Sequence, residues 1–464
     1  MLSDNVLLEI FDFYRTYNHV HSLGVVWKWN WHVLAHVCQR WRQIVFSSPQ
    51  RLKLQILCKR GTPVRKNLGI WPPFPIALSM SRITPYEDAI AALEHPDRVC
   101  FVRFYATGFQ LGKLVTVMQK PFPMLSSLSI VSDRTALVLP AEFLGGSAPC
   151  LRVINLNGIP YPALPTLLSS TSDLVTLHLR DIPSTGYILP ETMAACLARL
   201  PRLEDYIIDF HRATPRLDRI CPPPATRIIL PALTSFQFHG YSEYLEELVA
   251  RIDIPRANQI QIFYLNRLVD FQVPQLSEFI DRSMGLRLTP SRSAHVSFCR
   301  ERVTFTLHRH ANCQGWDPVE SLGTTVSFQA IRWQVSHMAQ VLSQFFATLF
   351  TVVHLETQFK EDDEVEGRDD VEWLHLFHQF PAVRMLRVTS ELAGFAALAL
   401  GGIRRELVAD LLPSLELICF EGQPASSVEK FEFVATRRLS GRSVTVVDTR
   451  KEFYERLESL IPVA

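Results

Sequence analysis

A six-residue apolar pattern recurs along this chain and limits its possible folds more than any other feature. Each copy begins with an aliphatic residue, has an apolar residue three positions later and ends with another two positions after that. Seven copies follow one another at spacings of 23 to 30 residues: Val99/Val102/Phe104, Leu125/Leu128/Ile130, Leu151/Ile154/Leu156, Leu174/Leu177/Leu179, Leu203/Tyr206/Ile208, Leu233/Phe236/Phe238 and Ala257/Ile260/Ile262. Such a succession indicates a repeated structural unit.

Proline precedes several copies by two residues, as at Pro123, Pro149, Pro201 and Pro231. Because proline disfavours helix in the residue before it and is tolerated at the start of a strand, each of these prolines separates a strand from the preceding helix. The segments between copies are amphipathic, and they include 111–118, 164–168, 191–200 and 244–252. Short strands that alternate with helices predict a solenoid with a parallel sheet.

The pattern resembles leucine-rich repeats, whose L-x-x-L-x-L core recurs every ~20 to 29 residues. The resemblance implies an α/β fold, a leucine-rich-repeat-like βα solenoid with a parallel sheet on its concave face. Between 270 and 346 the phase is lost, and the alternation in 296–298 and 303–307 predicts adjoining strands, in a hairpin or in enlarged repeats. The pattern resumes at Phe350, Val383 and Leu415, and a helix, a strand and a final helix, 452–460, end the chain as a cap.

The first fifty residues have a helical pattern instead. The apolar residues of a first helix, from Ser3 to Tyr17, are spaced along one face: Val6, Leu7, Ile10, Phe11 and Tyr14. A loop with three tryptophans follows, and a second stripe from Leu34 to Val45 ends at Pro49. Two such helices cannot enclose a core alone, so they either cap the array or dock on a partner.

Two blocks of this segment, Leu2 to Phe11 and Val37 to Arg42, resemble the F-box motif, with Ser3 in place of its usual proline. The insert 19–30 and the run 61–73 are similar to F-box proteins of mushroom-forming fungi. The resemblance implies that this segment binds the Skp adaptor of a cullin–RING ubiquitin ligase by helix-against-helix burial. The implied adaptor-binding residues are Leu2, Val6, Leu7, Ile10, Phe11, Val37, Cys38 and Trp41.

These patterns divide the chain into three parts. The resemblance implies an F-box helical domain at residues 1–58, and residues 59–90 are a connector whose prolines predict irregular packed backbone. Residues 91–464 form the solenoid, with an irregular insert near 270–346 and a C-terminal cap.

The residues between the inward-pointing positions of each copy line the opposite sheet face, because side chains alternate along a strand. The candidate substrate-binding residues are Asn155, Asn157, His178, Arg180, Asp205, Asp209, Gln237, His239, Gln261, Phe263, His354, Glu356 and Arg387. This polar, mixed-sign row suits a protein or peptide partner better than a small metabolite, although an ordinary solvated sheet face has a similar composition. The acidic run 361–370 is either a solvated loop or a recognition patch.

Composition argues against several other classes of partner. Lys and Arg number 47 and Asp and Glu 46, a net charge of +1 with no basic block, so we expect no nucleic-acid partner. The nine scattered cysteines are typical of free thiols in a reducing compartment. No apolar stretch reaches the ~18 to 20 residues that span a bilayer, and the N-terminus lacks the pattern of a signal peptide. We therefore expect a cytoplasmic or nuclear protein without a membrane partner.

No motif predicts catalysis or a cofactor. A G-x-S-x-G elbow, a Walker loop and a G-x-G-x-x-G fingerprint are all absent from the sequence. His375 with His378, and His308 with His310 and Cys313, come nearest to metal sites, but each lacks the four ligands of a structural zinc site.

The sequence thus predicts a non-catalytic substrate receptor of an SCF-type ubiquitin ligase. With the Skp adaptor at one end and a protein substrate on the concave face, target lysines would be held near a ubiquitin-loaded enzyme. The alternatives are an adaptor-bound subunit that delivers no substrate and a repeat scaffold that mediates protein–protein interaction without ubiquitination.

Overall fold

The computed structural model describes most of the chain, in separate segments. They are residues 2–17, 31–49, 51–58, 64–80, 86–132, 137–210, 226–264, 273–283, 292–299, 302–308, 325–331, 339, 340, 342–345, 352–359, 370–401, 403, 408, 410–421, 428 and 432–447. The chain folds as two compact units, 1–173 and 174–464, which are considered separately below.

Three helices begin the first unit: α1 (Asp4–Tyr17), α2 (Trp31–Ala35) and α3 (Gln39–Ser47). As predicted, Ser3 caps α1, since its Oγ accepts a hydrogen bond from the Val6 N–H at 3.4 Å. The second predicted stripe is divided into two helices. The reason is Cys38, which has extended backbone and accepts from the Trp41 N–H at 3.4 Å as the N-cap of α3.

The described residues of the first unit include five strands, which pair in chain order and are all parallel: β1 (Ile56–Cys58), β2 (Ile76–Met80), β3 (Val99–Ala106), β4 (Ser127–Ser132) and β5 (Val153–Asn157). Its other helices are α4 (Val64–Ile70), α5 (Tyr86–Leu93), α6 (Gly108–Val117) and α7 (Leu164–Leu168). The regular elements α4 and β2 lie where irregular backbone was expected. Pro72, Pro73 and Pro75 fall between them, so no backbone donor is lost from either.

The second unit has a sheet in the order β6 (Thr176–Ile182), β7 (Asp205–Phe210), β9 (Ser235–Gly240), β11 (Gln259–Tyr264), β14 (Thr325–Ile331), β13 (Arg302–His308), β12 (Arg292–Cys299), β15 (Val352–Phe359), β16 (Met385–Val388), β17 (Leu417–Phe420) and β18 (Thr445–Val447). Only β13 runs antiparallel to its neighbours among these strands. The pair β12–β13 confirms the predicted hairpin. A separate pair joins β8 (Ile228–Ile229) to β10 (Ile252–Asp253).

Helices occupy the connections of the second unit: α8 (Pro190–Leu197), α9 (Ser242–Val249), α10 (Pro274–Ser283), α11 (Asp370–His378), α12 (Ser390–Gly401) and α13 (Glu432–Leu439). The final predicted helix, 452–460, lies outside the described residues.

The repeat copies align in the sheet as their pattern predicts. In the first unit Val102 is the register partner of Leu128, which in turn pairs with Ile154. In the second unit a matching row is formed by Leu177, Tyr206, Phe236 and Ile260, all fully buried. The copies are therefore successive rungs of leucine-rich-repeat-like arrays, with their aliphatic positions in the core.

Two charged side chains, the half-buried Glu246 and the buried Arg437, each connect one repeat to the next. Glu246 of α9 accepts the N–H groups of Gln275 and Leu276 in the first turn of α10, both at 2.9 Å. Burial raises the pKa of this carboxyl to about 7 although both bonds lower it. Arg437 of α13 donates to the carbonyl oxygens of Leu412 at 2.6 Å and Pro413 at 2.9 Å, in the turn that precedes β17. Both side chains satisfy backbone groups that a helix end or turn leaves unpaired.

Candidate functional site

Apolar side chains are exposed along α1 and just before it, and also within and just after α2. These side chains, which we call the helical surface, are Leu2, Val6, Ile10, Phe13, Val33 and Val37, and each is more than two-fifths exposed. Phe13 is 73% exposed, the largest fraction in this set. The spacing of Val6, Ile10 and Phe13 places them on one side of a single helix.

The predicted adaptor-binding residues divide into an exposed and a buried group. Leu2, Val6, Ile10, Val37 and Cys38 are exposed. Leu7 and Phe11 are buried instead, and the Phe11 ring lies 4.9 Å from the half-buried Trp41 ring, centroid to centroid. The contact between Phe11 and Trp41 holds α1 against α3, so it supports the helical surface from within.

Phe13 and Val33 belong to the helical surface but were not predicted as site residues. Phe13 follows Ile10 by three positions, so helical spacing could have placed it on the same face of α1.

Ion pairs border the surface: Arg40 contacts Asp4 at 2.7 Å, and Arg51 contacts Glu9. An apolar centre with a charged rim is the usual arrangement of a protein interface.

A cluster of aromatic rings, here called the aromatic joint, packs α2 against the first strands. Trp31 is 5% exposed, and its ring centroid lies 5.1 Å from that of Trp71, 5.5 Å from Phe74 and 6.1 Å from Phe46. Its Nε1–H donates to the carbonyl oxygen of Gln55, next to β1, at 2.8 Å. The joint therefore ties the helical segment directly to the array of the first unit.

The first-unit sheet presents one polar face, made from the alternate positions of β2 to β5. Register aligns Ser79, Arg103, Ser129 and Asn155 across these four strands. Asn155 and Asn157 were predicted for this face, and both are half-buried there. Arg103 and Tyr105 were missed, although the rule of alternation applied to the first repeat copy as well as to the later ones.

In the second unit eight predicted residues occupy the corresponding face of β6, β7, β9 and β11, all half-buried: His178, Arg180, Asp205, Asp209, Gln237, His239, Gln261 and Phe263. Gln237 pairs in register with Gln261, and His239 with Phe263. The structure thus brings these residues together in rows, as the repeat pattern implies.

Two histidine–aspartate pairs lie on this second-unit face. The His178 Nε2 lies 2.6 Å from the Asp205 Oδ2, and the His239 Nδ1 lies 2.8 Å from the Asp209 Oδ1. Burial raises the pKa of Asp205, but hydrogen bonds from His178 and Ser235 and the nearby Arg180 charge outweigh it, so the pKa is below its usual value. Asp205 is therefore ionised at neutral pH and orients the His178 ring.

The last three predicted substrate residues are interior instead of exposed. His354 and Glu356 are each 2% exposed and Arg387 is 3% exposed. The Arg387 guanidinium pairs with Glu356 and with Glu421, and the His354 Nδ1 lies 3.3 Å from the Ser293 Oγ. This part of the predicted row forms an internal polar network. Strand alternation assigned these side chains to a face, but it does not determine whether that face is covered.

The two candidate metal groups differ in what the structure describes. His375 and His378 lie on α11, and burial and the neighbouring His375 lower the pKa of His378. His310 and Cys313 lie outside the described residues, as do the side chain of His308 and the acidic stretch 361–369. Within the part of the chain that the structure covers, no group of three or more potential metal ligands occurs. Nor does any helix there have the length and apolar character needed to cross a membrane.

Comparison with known proteins adds little to this description. No protein-family model matches the chain, and no curated protein matches it. Among solved structures, the chain is similar to the leucine-rich repeat-containing protein LegL7 from Legionella pneumophila, at 13% sequence identity and a TM-score of 0.28. The match covers 84% of this chain and 99% of LegL7. With so low a TM-score the match carries no weight, and the repeat architecture rests on the strand register.

Proposed function

We propose that this protein is the non-catalytic substrate-recognition subunit of an SCF-type cullin–RING ubiquitin ligase. Its N-terminal helices would bind the Skp adaptor, and the polar sheet faces of its repeats would bind a protein substrate. Catalysis would belong to the other subunits, and this chain would supply proximity between the target and the conjugating enzyme. A soluble cytoplasmic or nuclear location is part of the proposal.

The observation that carries the proposal is the exposed helical surface within a segment that resembles an F-box. Side chains such as Phe13 and Ile10 are large and apolar, yet they are exposed on a helix whose opposite side is already packed through Leu7 and Phe11. A contiguous apolar patch with a polar rim is typical of a protein-binding site. Helix-in-groove docking uses anchors at the spacing found along α1.

The test is capture of this chain by purified Skp adaptor. Ile10→Ser and Phe13→Ser should each weaken capture by about fivefold or more, because central apolar anchors contribute over ~1 kcal/mol apiece. Ile229→Ser is the matched control, since Ile229 is 65% exposed but lies in the second unit. Unchanged capture by both surface variants would reject the docking surface. Phe11→Ala is a folding control, because Phe11 is fully buried and its loss should loosen α1 itself.

The aromatic joint supports a second candidate function, a repeat scaffold whose N-terminal helices serve only as a cap. Trp31 packs on Phe74 and donates to the Gln55 carbonyl, and these are contacts that a cap requires. Under this alternative, deletion of residues 1–49 would unfold the first unit. Under the ligase proposal, the deletion would abolish adaptor capture while strands β3 to β5 keep their amide protection from hydrogen exchange.

A further inference from the structure

The polar face of the first-unit sheet has an unbalanced positive charge. The face positions of β2 to β5 carry serine, asparagine, aromatic and aliphatic side chains, and among those described only Arg103 is charged. The second-unit face differs, because its aspartates pair with histidines. The first-unit face is thus complementary to a negative charge.

Arg103 has no acidic partner within the described part of the chain. Its side chain is half-buried, and its Nε is shielded from solvent without a hydrogen-bond acceptor. The contact that the guanidinium makes is with the Phe101 ring, whose centroid lies 5.9 Å from Cζ. A guanidinium that has lost part of its hydration without gaining an acceptor is destabilising, and an anion placed beside it offsets that cost.

A second polar atom on the same face also lacks a partner. Asn155 donates through Nδ2 to the Ser129 Oγ at 3.4 Å, but its Oδ1 is buried without a donor in the described residues. Ser129 lies in register between Arg103 and Asn155, so these two residues are two strand spacings, roughly 10 Å, apart. An extended peptide advances ~3.4 Å per residue, so about three of its residues span that distance.

We propose that this face binds an extended peptide segment that contains an aspartate or glutamate. The carboxylate of the peptide pairs with the Arg103 guanidinium, and a donor about three residues away reaches the Asn155 Oδ1. Tyr105, 43% exposed and next on the same face of β3, contacts the apolar part of the segment. The inference rests on the proposed function, since it specifies the chemical class of the substrate that the receptor recognises.

The experiment is selection of a random dodecapeptide display library on the full chain. Peptides selected by the wild-type protein should be enriched in Asp and Glu relative to the unselected library. The enrichment should be lost with Arg103→Ala and retained with Arg256→Ala, because Arg256 is exposed and lies outside the strands of the second unit. Arg103→Glu should select peptides enriched in Lys and Arg instead.

Selected acidic peptides are then measured by fluorescence anisotropy. Arg103→Ala should weaken their binding by about tenfold to a hundredfold, the range expected for a hydrogen-bonded charge pair, and Arg103→Lys should retain part of it. Circular dichroism of each variant shows whether it is folded. If Arg103→Ala is unfolded, Arg103→Lys still tests the role of the guanidinium.

Wild-type selection without acidic enrichment, or enrichment that survives in Arg103→Glu, overturns the inference. Tighter binding of a single-stranded oligonucleotide than of the peptides also overturns it. Skp capture is measured on the same variants, so the failure of either proposal is recognised separately.

Discussion

Replacement of Trp31 tests whether the aromatic joint is what holds the N-terminal helices to the array. Trp31 is almost completely buried among three other aromatic rings. Truncation of a buried tryptophan to alanine costs about 3–5 kcal/mol. The lost hydrogen bond to the Gln55 carbonyl adds about 1 kcal/mol. We therefore expect Trp31→Ala to destabilise the packing of α1 to α3 by roughly 4–6 kcal/mol.

Hydrogen exchange measured by mass spectrometry reports this change locally. Amides in Asp4–Tyr17 and Gln39–Ser47 should exchange roughly a thousand to ten thousand times faster in Trp31→Ala, because each 1.4 kcal/mol is about a factor of ten. Trp31→Phe keeps an aromatic ring and removes the Nε1–H donor, so it should cost only about 1–2 kcal/mol.

A second buried tryptophan provides the control. Trp373 is fully buried in the second unit, so Trp373→Ala should leave exchange in α1 and α3 unchanged. Unaltered exchange of α1 and α3 in Trp31→Ala would show that the joint does not hold these helices. Equal effects of the phenylalanine and alanine variants would show that the hydrogen bond, and not ring packing, dominates.

Three further predictions concern the second unit. The pKa of Glu246 is raised from its ordinary value of 4.5 to about 7, so folding favours the protonated carboxyl, and stability should fall by at most about 3 kcal/mol as pH rises from 4.5 to 7. Urea unfolding at several pH values measures this fall, which Glu246→Gln should abolish. Gly240→Ala should lower the free energy of unfolding by about 1–3 kcal/mol, because the added Cβ would lie 2.7 Å from the Phe238 Cζ and 3.0 Å from the Phe210 Cδ2. An unchanged melting temperature would refute this. Arg437→Met should lower the free energy of unfolding, measured in urea, by about 3–5 kcal/mol, because it leaves buried carbonyl oxygens unpaired. A decrease below about 1 kcal/mol would contradict the role of Arg437 in pairing them.

Much of the repeat architecture was predictable because it depends on local periodicity. Leu128, the middle position of the second copy, predicted its strand, and the register places it beside Val102 and Ile154 as the repeats require. The α1 cap at Ser3 was predictable for the same reason, since a cap is a contact between residues close in sequence. The division of the second N-terminal stripe at Cys38 was missed, because apolar spacing alone does not reveal a capping side chain.

Site exposure was predictable only in part. The sequence correctly grouped His178, Gln237 and Gln261 on one sheet face, since strand alternation fixes the side to which each residue points. It could not show that Glu356 and Arg387 are buried on theirs. Burial depends on what packs over a face, and segments distant in sequence determine this.

Sequence periodicity was enough to predict the strands of the seven repeat copies, their inward apolar rows and the helical stripe of α1. Tertiary structure alone decided which side of that stripe stays exposed: Phe11 turns inward against Trp41, and Ile10 and Phe13 remain on the surface. It also decided that Arg103 has no acidic partner in the described residues while Arg387 has two. The physical reason is that periodicity is a property of neighbouring residues, whereas burial and charge pairing are set by atoms that only the folded chain brings together.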